Sequence, residues 1–141
     1  MFDKVLLPVD VTHPESWEKA LPAARRCAGP SGEIHLLGIV HDLGSAVVSS
    51  FLPAGFEKQA MERLKADLTA LAQREFDADA RVETHVGHGH VAETILRIAD
   101  QLSADLIVMA SHPPHDFQTL LVGSNADKVV RHAPIPVLVV R

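Results

Sequence analysis

The sequence predicts an α/β protein, a single-domain, doubly wound sheet of five parallel strands. Five short strand-like runs alternate with four segments whose apolar residues recur at helical spacing. Most of those runs are apolar throughout, as strands are when helices cover both faces of a parallel sheet. Right-handed crossovers between such strands then lead to the doubly wound arrangement. A chain of 141 residues suits one domain and leaves no room for two.

Each element follows in order. Lys4–Val9 (KVLLPV) is a short apolar run ending beside Asp10, and it predicts a buried first strand. Pro14 is favoured in a helix's first turn, and Trp17, Leu21, Ala24 and Ala28 then repeat at helical spacing. Gly29-Pro30-Ser31-Gly32 stops that helix. Ile34–Val40 (IHLLGIV) predicts the second strand. His41 to Gly55, with Gly44, Ser45, Ser49, Ser50 and Pro53, reads as a loop longer than the usual strand-to-helix connection. Ala60, Leu64, Leu68 and Leu71 mark a helix from Phe56 to about Glu75. Arg81–Val86 (RVETHV) alternates and predicts the third strand. Val91, Ile95, Ile98 and Leu102 mark the next helix, and Ala104–Ala110 (ADLIVMA) the fourth strand. After a break at Ser111-His112-Pro113-Pro114-His115-Asp116, Gly123-Ser124-Asn125 opens the last helix. Its predicted inner face is Ala126, Val129, Val130 and Ala133. Pro134 and Pro136 stop it, and Val137–Val140 is the fifth strand.

Composition narrows the function. Apolar residues make up 47% and charged residues 22%, which allows a real core and argues against wholesale disorder. The net charge of −5 argues against nucleic acid, whose phosphate backbone needs a basic face. A mononucleotide is still permitted, because backbone N–H groups can hold its phosphates. Cys27 is the single cysteine, which excludes an intrachain disulfide and suits a reducing compartment. The opening MFDKVLLPVD lacks the features of a signal peptide, and no apolar run reaches the ~20 residues that span a membrane. The expected location is cytoplasmic.

Open parallel sheets bind ligands outside the carboxyl ends of their strands, where strand order reverses. With order 3-2-1-4-5, that point lies between strands 1 and 4, at the loops that begin at Asp10 and Ser111. Asp10 follows Pro8 and Val9. Its carboxylate can accept hydrogen bonds from a ribose hydroxyl or a base, or hold a metal; equally, it can cap the first helix or satisfy loop N–H groups. Gly123 and Ser124 stand where a helix begins, and the free N–H groups there favour an anion. An ordinary Ser or Asn cap is the other reading of the same residues.

PVD after the first strand, DLIVMASH, and the closing LLVGSNADKVVRHAPIPVLVVR resemble the universal stress protein family over nearly the whole chain. The ASH-plus-proline and GSNA details are similar to its F/G-type branch of small bacterial members. The resemblance implies a Rossmann-like sheet of order 3-2-1-4-5 and a homodimer that binds an adenine nucleotide in the stress response. ATP, ADP or AMP is the implied ligand, with Mg²⁺ as an accompanying ion. ATP-binding members carry Gly-x-x-Gly, nine residues, then Gly-Ser or Gly-Thr. The matching positions here are Ala110, Pro113 and Gly123-Ser124, so only the third glycine is retained. Proline has no N–H to offer a phosphate. The phosphates are therefore expected at Gly123, Ser124 and Asn125, with Ser111 or His112 assisting. Asp10 is expected to face the adenosine, and Val9, Ile39 and Met109 to line the adenine pocket. Bound nucleotide would order the loop from Ser111 to Val122, and that from His41 to Gly55.

Nine histidines are many for this length. His85, His88 and His90 are close in sequence, and His88 and His90 would share a face if extended. No cysteine joins them and their spacing fits no zinc pattern, so they read as solvated polar residues. His112 and His115 flank two prolines, and His112 could donate to a phosphate or shuttle a proton. Ser124 with His112 lacks an orienting acid, and no GxxxxGK[ST] motif occurs. An efficient catalyst is not expected; slow ATP hydrolysis or self-phosphorylation is conceivable by resemblance. A nucleotide-free module that binds another protein is the alternative function. The fifth strand, Val137–Val140, would be an apolar edge without lysine, and two copies can pair there across a two-fold axis.

Overall fold

The structure, a computed structural model, describes residues 1–41, 52–111 and 123–141. Its strands are β1 (Lys4–Pro8), β2 (Glu33–His41), β3 (Val82–Gly89), β4 (Leu106–Ala110) and β5 (Val137–Val140). Its α-helices are α1 (Ala20–Ala28), α2 (Phe56–Glu75), α3 (Val91–Leu102) and α4 (Ser124–His132). All strand pairs are parallel, in the order β3-β2-β1-β4-β5, as expected.

Alternation along β1 explains the two layers. Val5 and Leu7, with Val9 just beyond, point to one face, where they pack with Ala20, Leu21, Ala24 and Ala28 of α1 and Leu68 and Leu71 of α2. Leu6 points to the other, with Ile95, Ile98 and Ala99 of α3 and Ala126 and Val129 of α4. A central strand buried on both faces needs consecutive apolar residues, which is why VLL reads without polar interruption.

The packing of helices on the sheet also needs glycines at two places among the described residues. A Cβ on Gly38 would stand 2.9 Å from Leu68 Cδ1 and 3.0 Å from Leu64 Cδ1, so α2 sits directly on the backbone of β2. On the opposite face, a Cβ on Gly87 would collide with Thr94 Cγ2 of α3.

Asp105 ties the amino terminus to the middle of the sheet. Its carboxylate accepts the N–H groups of Asp3 and Lys4, each at 2.8 Å, and its own N–H donates to Lys4 O at 3.0 Å. Lys4 Nζ donates to Leu102 O at 3.3 Å. This clasp pins the start of β1 against the turn into β4.

Three details depart from the expected pattern. The first helical segment breaks in two, a 3-10 turn at Pro14–Ser16 and then α1 from Ala20. Trp17 lies between them and is still buried. β3 runs on to Gly89, three residues past the alternating stretch, because its ladder with β2 continues through His41↔Gly89. Val130 is 50% exposed rather than on the inner face of α4, since it follows Val129 by about 100° around the helix.

Candidate nucleotide site

A cleft of about 660 Å³ opens at the carboxyl ends of β1 and β4. Its apolar wall combines Val9, Leu37, Ile39, Ile95 and Met109, with Leu64 and Val91. Val9 continues the line of β1, because its N–H donates to Leu37 O at 2.9 Å. The polar groups are gathered at the rim: Asp10 and Thr12 on one side, Gly123, Ser124 and Asn125 on the other.

Asp10 organises the first rim. Its Oδ1 accepts Thr12 N–H at 3.0 Å and the Thr12 hydroxyl at 2.7 Å. His13 Nδ1 lies 3.0 Å from its Oδ2. An ionised carboxylate only accepts, so that ring nitrogen carries the proton. Below, the buried Ser16 hydroxyl accepts Asp10 N–H at 2.8 Å and donates to Asp10 O at 3.0 Å. Partial burial alone would raise the Asp10 carboxyl; the Thr12 hydroxyl and amide and the His13 ring outweigh it and lower the pKa below its ordinary 3.8. The loop-satisfying reading of Asp10 is therefore correct, yet it does not exhaust the residue. A carboxylate offers about four lone-pair sites, and these contacts take three. Among the described residues, one acceptor position on Oδ2 is left for a ligand hydroxyl.

The second rim is the start of α4. Gly123 precedes the helix with φ −49° and ψ 150°, and among the described residues no side chain caps it. The first helical hydrogen bond is Asp127 N–H to Gly123 O, so the N–H groups of Ser124, Asn125 and Ala126 precede the ladder. Asp127, an acid in this turn, is drawn to Arg131 at 3.1 Å. Any residue adopts the backbone angles of Gly123, and a Cβ there would meet nothing within 4 Å. Neither strain nor packing among the described residues requires a glycine; what it provides is an unobstructed backbone at the cleft.

Nine of the twelve residues expected at this site line the cleft: Pro8, Val9, Asp10, Ile39, Met109, Ala110, Gly123, Ser124 and Asn125. Ser111 is not among them, and its N–H is committed to Val140 O at 2.8 Å, which extends the β4–β5 ladder. That amide is not available to assist a phosphate. His112 and Pro113, with His115, lie outside the described residues, as does most of the stretch between His41 and Gly55. Among the lining residues that sequence reasoning missed are Thr12, Ser16, Leu64 and Ile95. The Asp-x-Thr spacing of an Asx turn was the available signal for Thr12. The other three come from separate elements, and only the tertiary fold joins them.

The histidines are arranged differently from the expectation. His85 turns toward His35, with His35 Nδ1 2.9 Å from His85 Nε2, the ring centroids 5.1 Å apart and the ring planes inclined by 23°, so that the two imidazoles meet edge to edge. Burial lowers the His85 pKa, His35 adds to this, and Glu83 opposes it. His88 instead has Nε2 3.5 Å from Glu57 Oε1, and His90 lies beyond the end of β3 as the residue preceding α3. No shared extended face forms.

The whole chain, residues 1–141, matches the profile of the universal stress protein family. The chain belongs to that family. Universal stress protein G of Salmonella typhimurium is 37% identical over 145 residues, covering 100% of each chain. Among solved structures, hypothetical protein MJ0577 superposes with a TM-score of 0.80 at 26% identity, over 99% of this chain and 96% of that one. A universal stress protein in complex with cAMP superposes with a TM-score of 0.62 at 19% identity, over 99% and 97%, a likeness of fold alone. Ala110 and Gly123, two of the three positions that the resemblance matched to glycines, stand at the cleft of this universal stress protein.

Proposed function

We propose that this universal stress protein binds an adenine nucleotide, ATP or ADP with AMP as the minimal form, as a regulatory ligand. The single observation that carries the reading is the composition of the cleft. Among the described residues, one cavity joins an apolar wall, a carboxylate with a free acceptor, and an uncapped helix start beside an unobstructed glycine. Each part suits one part of a nucleotide. Val9, Ile39 and Met109 take the flat base, Asp10 a ribose hydroxyl, and Gly123, Ser124 and Asn125 the phosphates. A protein of this fold solved with cAMP supports the capacity of the architecture for an adenine nucleotide. Ala110, where the family pattern has glycine, adds a methyl group at the rim, and Mg²⁺ offsets phosphate charge that Pro113, with no N–H, does not. The protein acts as a homodimer through the edge of β5 in this reading.

Calorimetric titration with ATP and Mg²⁺ tests it. The native protein is expected to bind one nucleotide per chain, and Gly123→Asp to weaken binding by at least about tenfold, because a carboxylate then faces the phosphates. That variant folds normally, since the backbone angles and the space at Gly123 accept a side chain. Absence of heat at millimolar ATP would leave the protein-interaction module as the standing function. Equal affinity in the variant would move the phosphates elsewhere.

A further inference from the structure

Away from the nucleotide cleft, a second group of polar side chains converges on the α3 side of the sheet, toward the amino-terminal halves of β2 and β3. The ladder sets His35 opposite Glu83 and Leu37 opposite His85. Glu83 and His85 are two apart on one strand and so project from the same face. Three donor atoms result: His35 Nδ1, His85 Nε2 and Glu83 Oε2. The separations are 2.9 Å between the nitrogens, 3.7 Å from His35 to Glu83, and 3.8 Å from His85 to Glu83. A point equidistant from all three lies about 2.0 Å from each, which is the bond length of zinc to imidazole nitrogen and carboxylate oxygen.

The surroundings prepare the same set. His35 is 3% exposed at its side chain and cannot turn to water. Its Nε2 faces Glu33 Oε2 at 3.3 Å, and a carboxylate there holds the ring proton on Nε2. Nδ1 is then left with its lone pair directed at His85 and Glu83. A carboxylate behind the far nitrogen of an imidazole is the arrangement that orients metal-ligating histidines. Glu83, 63% exposed, leaves an open side for water as a fourth ligand. The sequence carries the pattern twice, Glu33-Ile34-His35 and Glu83-Thr84-His85, and the register staggers the two copies by two residues, so that the end of the first meets the start of the second.

We propose that His35, His85 and Glu83 form a site for a first-row divalent metal ion of the zinc type, with Glu33 as a positioning residue for His35. Two imidazoles and one carboxylate suit Zn²⁺ and its neighbours rather than Mg²⁺ or Ca²⁺, which take oxygen donors. In the metal-free form His85 Nε2–H donates to His35 Nδ1; on binding, His85 takes its Nδ1–H tautomer and both lone pairs face the ion.

Titration of the full chain with Zn²⁺ alone tests this, read by calorimetry and by imidazole ¹⁵N chemical shifts. One ion per chain is expected, with coordination shifts at Nδ1 of His35 and Nε2 of His85. Glu83→Gln and His85→Asn are each expected to weaken binding at least about tenfold, and Glu33→Gln by about 10- to 100-fold. Glu83 is mostly exposed, so its variant keeps the fold and decides the matter even if His85→Asn does not fold. Shifts confined to other histidines, or an affinity unchanged in Glu83→Gln, would overturn the site.

Discussion

At the scale of single residues, Asp10 is the group whose chemistry the loop controls most closely. Held below its ordinary pKa of 3.8, it is fully ionised at neutral pH and presents acceptors only. It can recognise a hydroxyl but would repel a phosphate, which is consistent with the proposed placing of phosphates at the opposite rim. The same shift links the loop to stability. A carboxyl whose folded pKa is depressed stabilises the fold above its unfolded pKa, and that contribution is lost as pH falls through the folded value. Replacing Thr12 by Val removes the hydroxyl donor. The Asp10 midpoint, followed by its carboxyl ¹³C shift, is expected to rise toward 3.8 in that variant. A midpoint that stays in place would mean His13 and the Thr12 amide alone hold the charge. The positions of Gly123 and Asp10 at the cleft were legible in the sequence because each stands at a strand or helix end, and the topology gathers those ends. His35 was not, because IHLLGIV reads as an apolar run and nothing local reveals that its histidine meets another from fifty residues away.

Among elements, the fit of helices to the sheet depends on the two glycines that face α2 and α3. Gly87→Ala sets a methyl group against Thr94 Cγ2, and Thr94 is β-branched, buried and stiff. The helix must then move away from β3, at about 1–3 kcal/mol for overpacking. Gly38→Ala meets only the ends of Leu64 and Leu68, which rotate more easily, and is expected to cost less. Thermal melts of the two variants check the order. Element identity was readable throughout because apolar periodicity reports burial directly, and β5 was located to the residue. Ends were less readable. The pairing of β3 with β2 carries the strand past the point where alternation stops, and Trp17 stays buried although its backbone has left the helix. In both cases tertiary contacts override the local pattern.

For the whole molecule, the sheet has two edges, β3 and β5. β5 is four residues long, follows Pro136, and exposes Leu138 by 38%. A charge at an edge strand opposes pairing with another copy. Sedimentation equilibrium is expected to give the mass of two chains for the native protein and of one for Leu138→Lys. Two chains in both would place the dimer contact elsewhere. No helix among the described residues is long and apolar enough to cross a membrane.

The Asp105 clasp has a consequence in time as well as in space. β1 is the first strand synthesised, yet its start is held by a residue more than a hundred positions later. A nascent chain that has emerged only through β3 can pair β1 with β2, but the other edge of β1 is bare. Its apolar side chains then depend on contacts of long sequence separation, which form late. The cleft between β1 and β4 therefore comes into being only once the fourth strand has left the ribosome. Until then the growing polypeptide leaves one edge of a largely apolar strand unpaired, and this is the stage at which it most needs a chaperone.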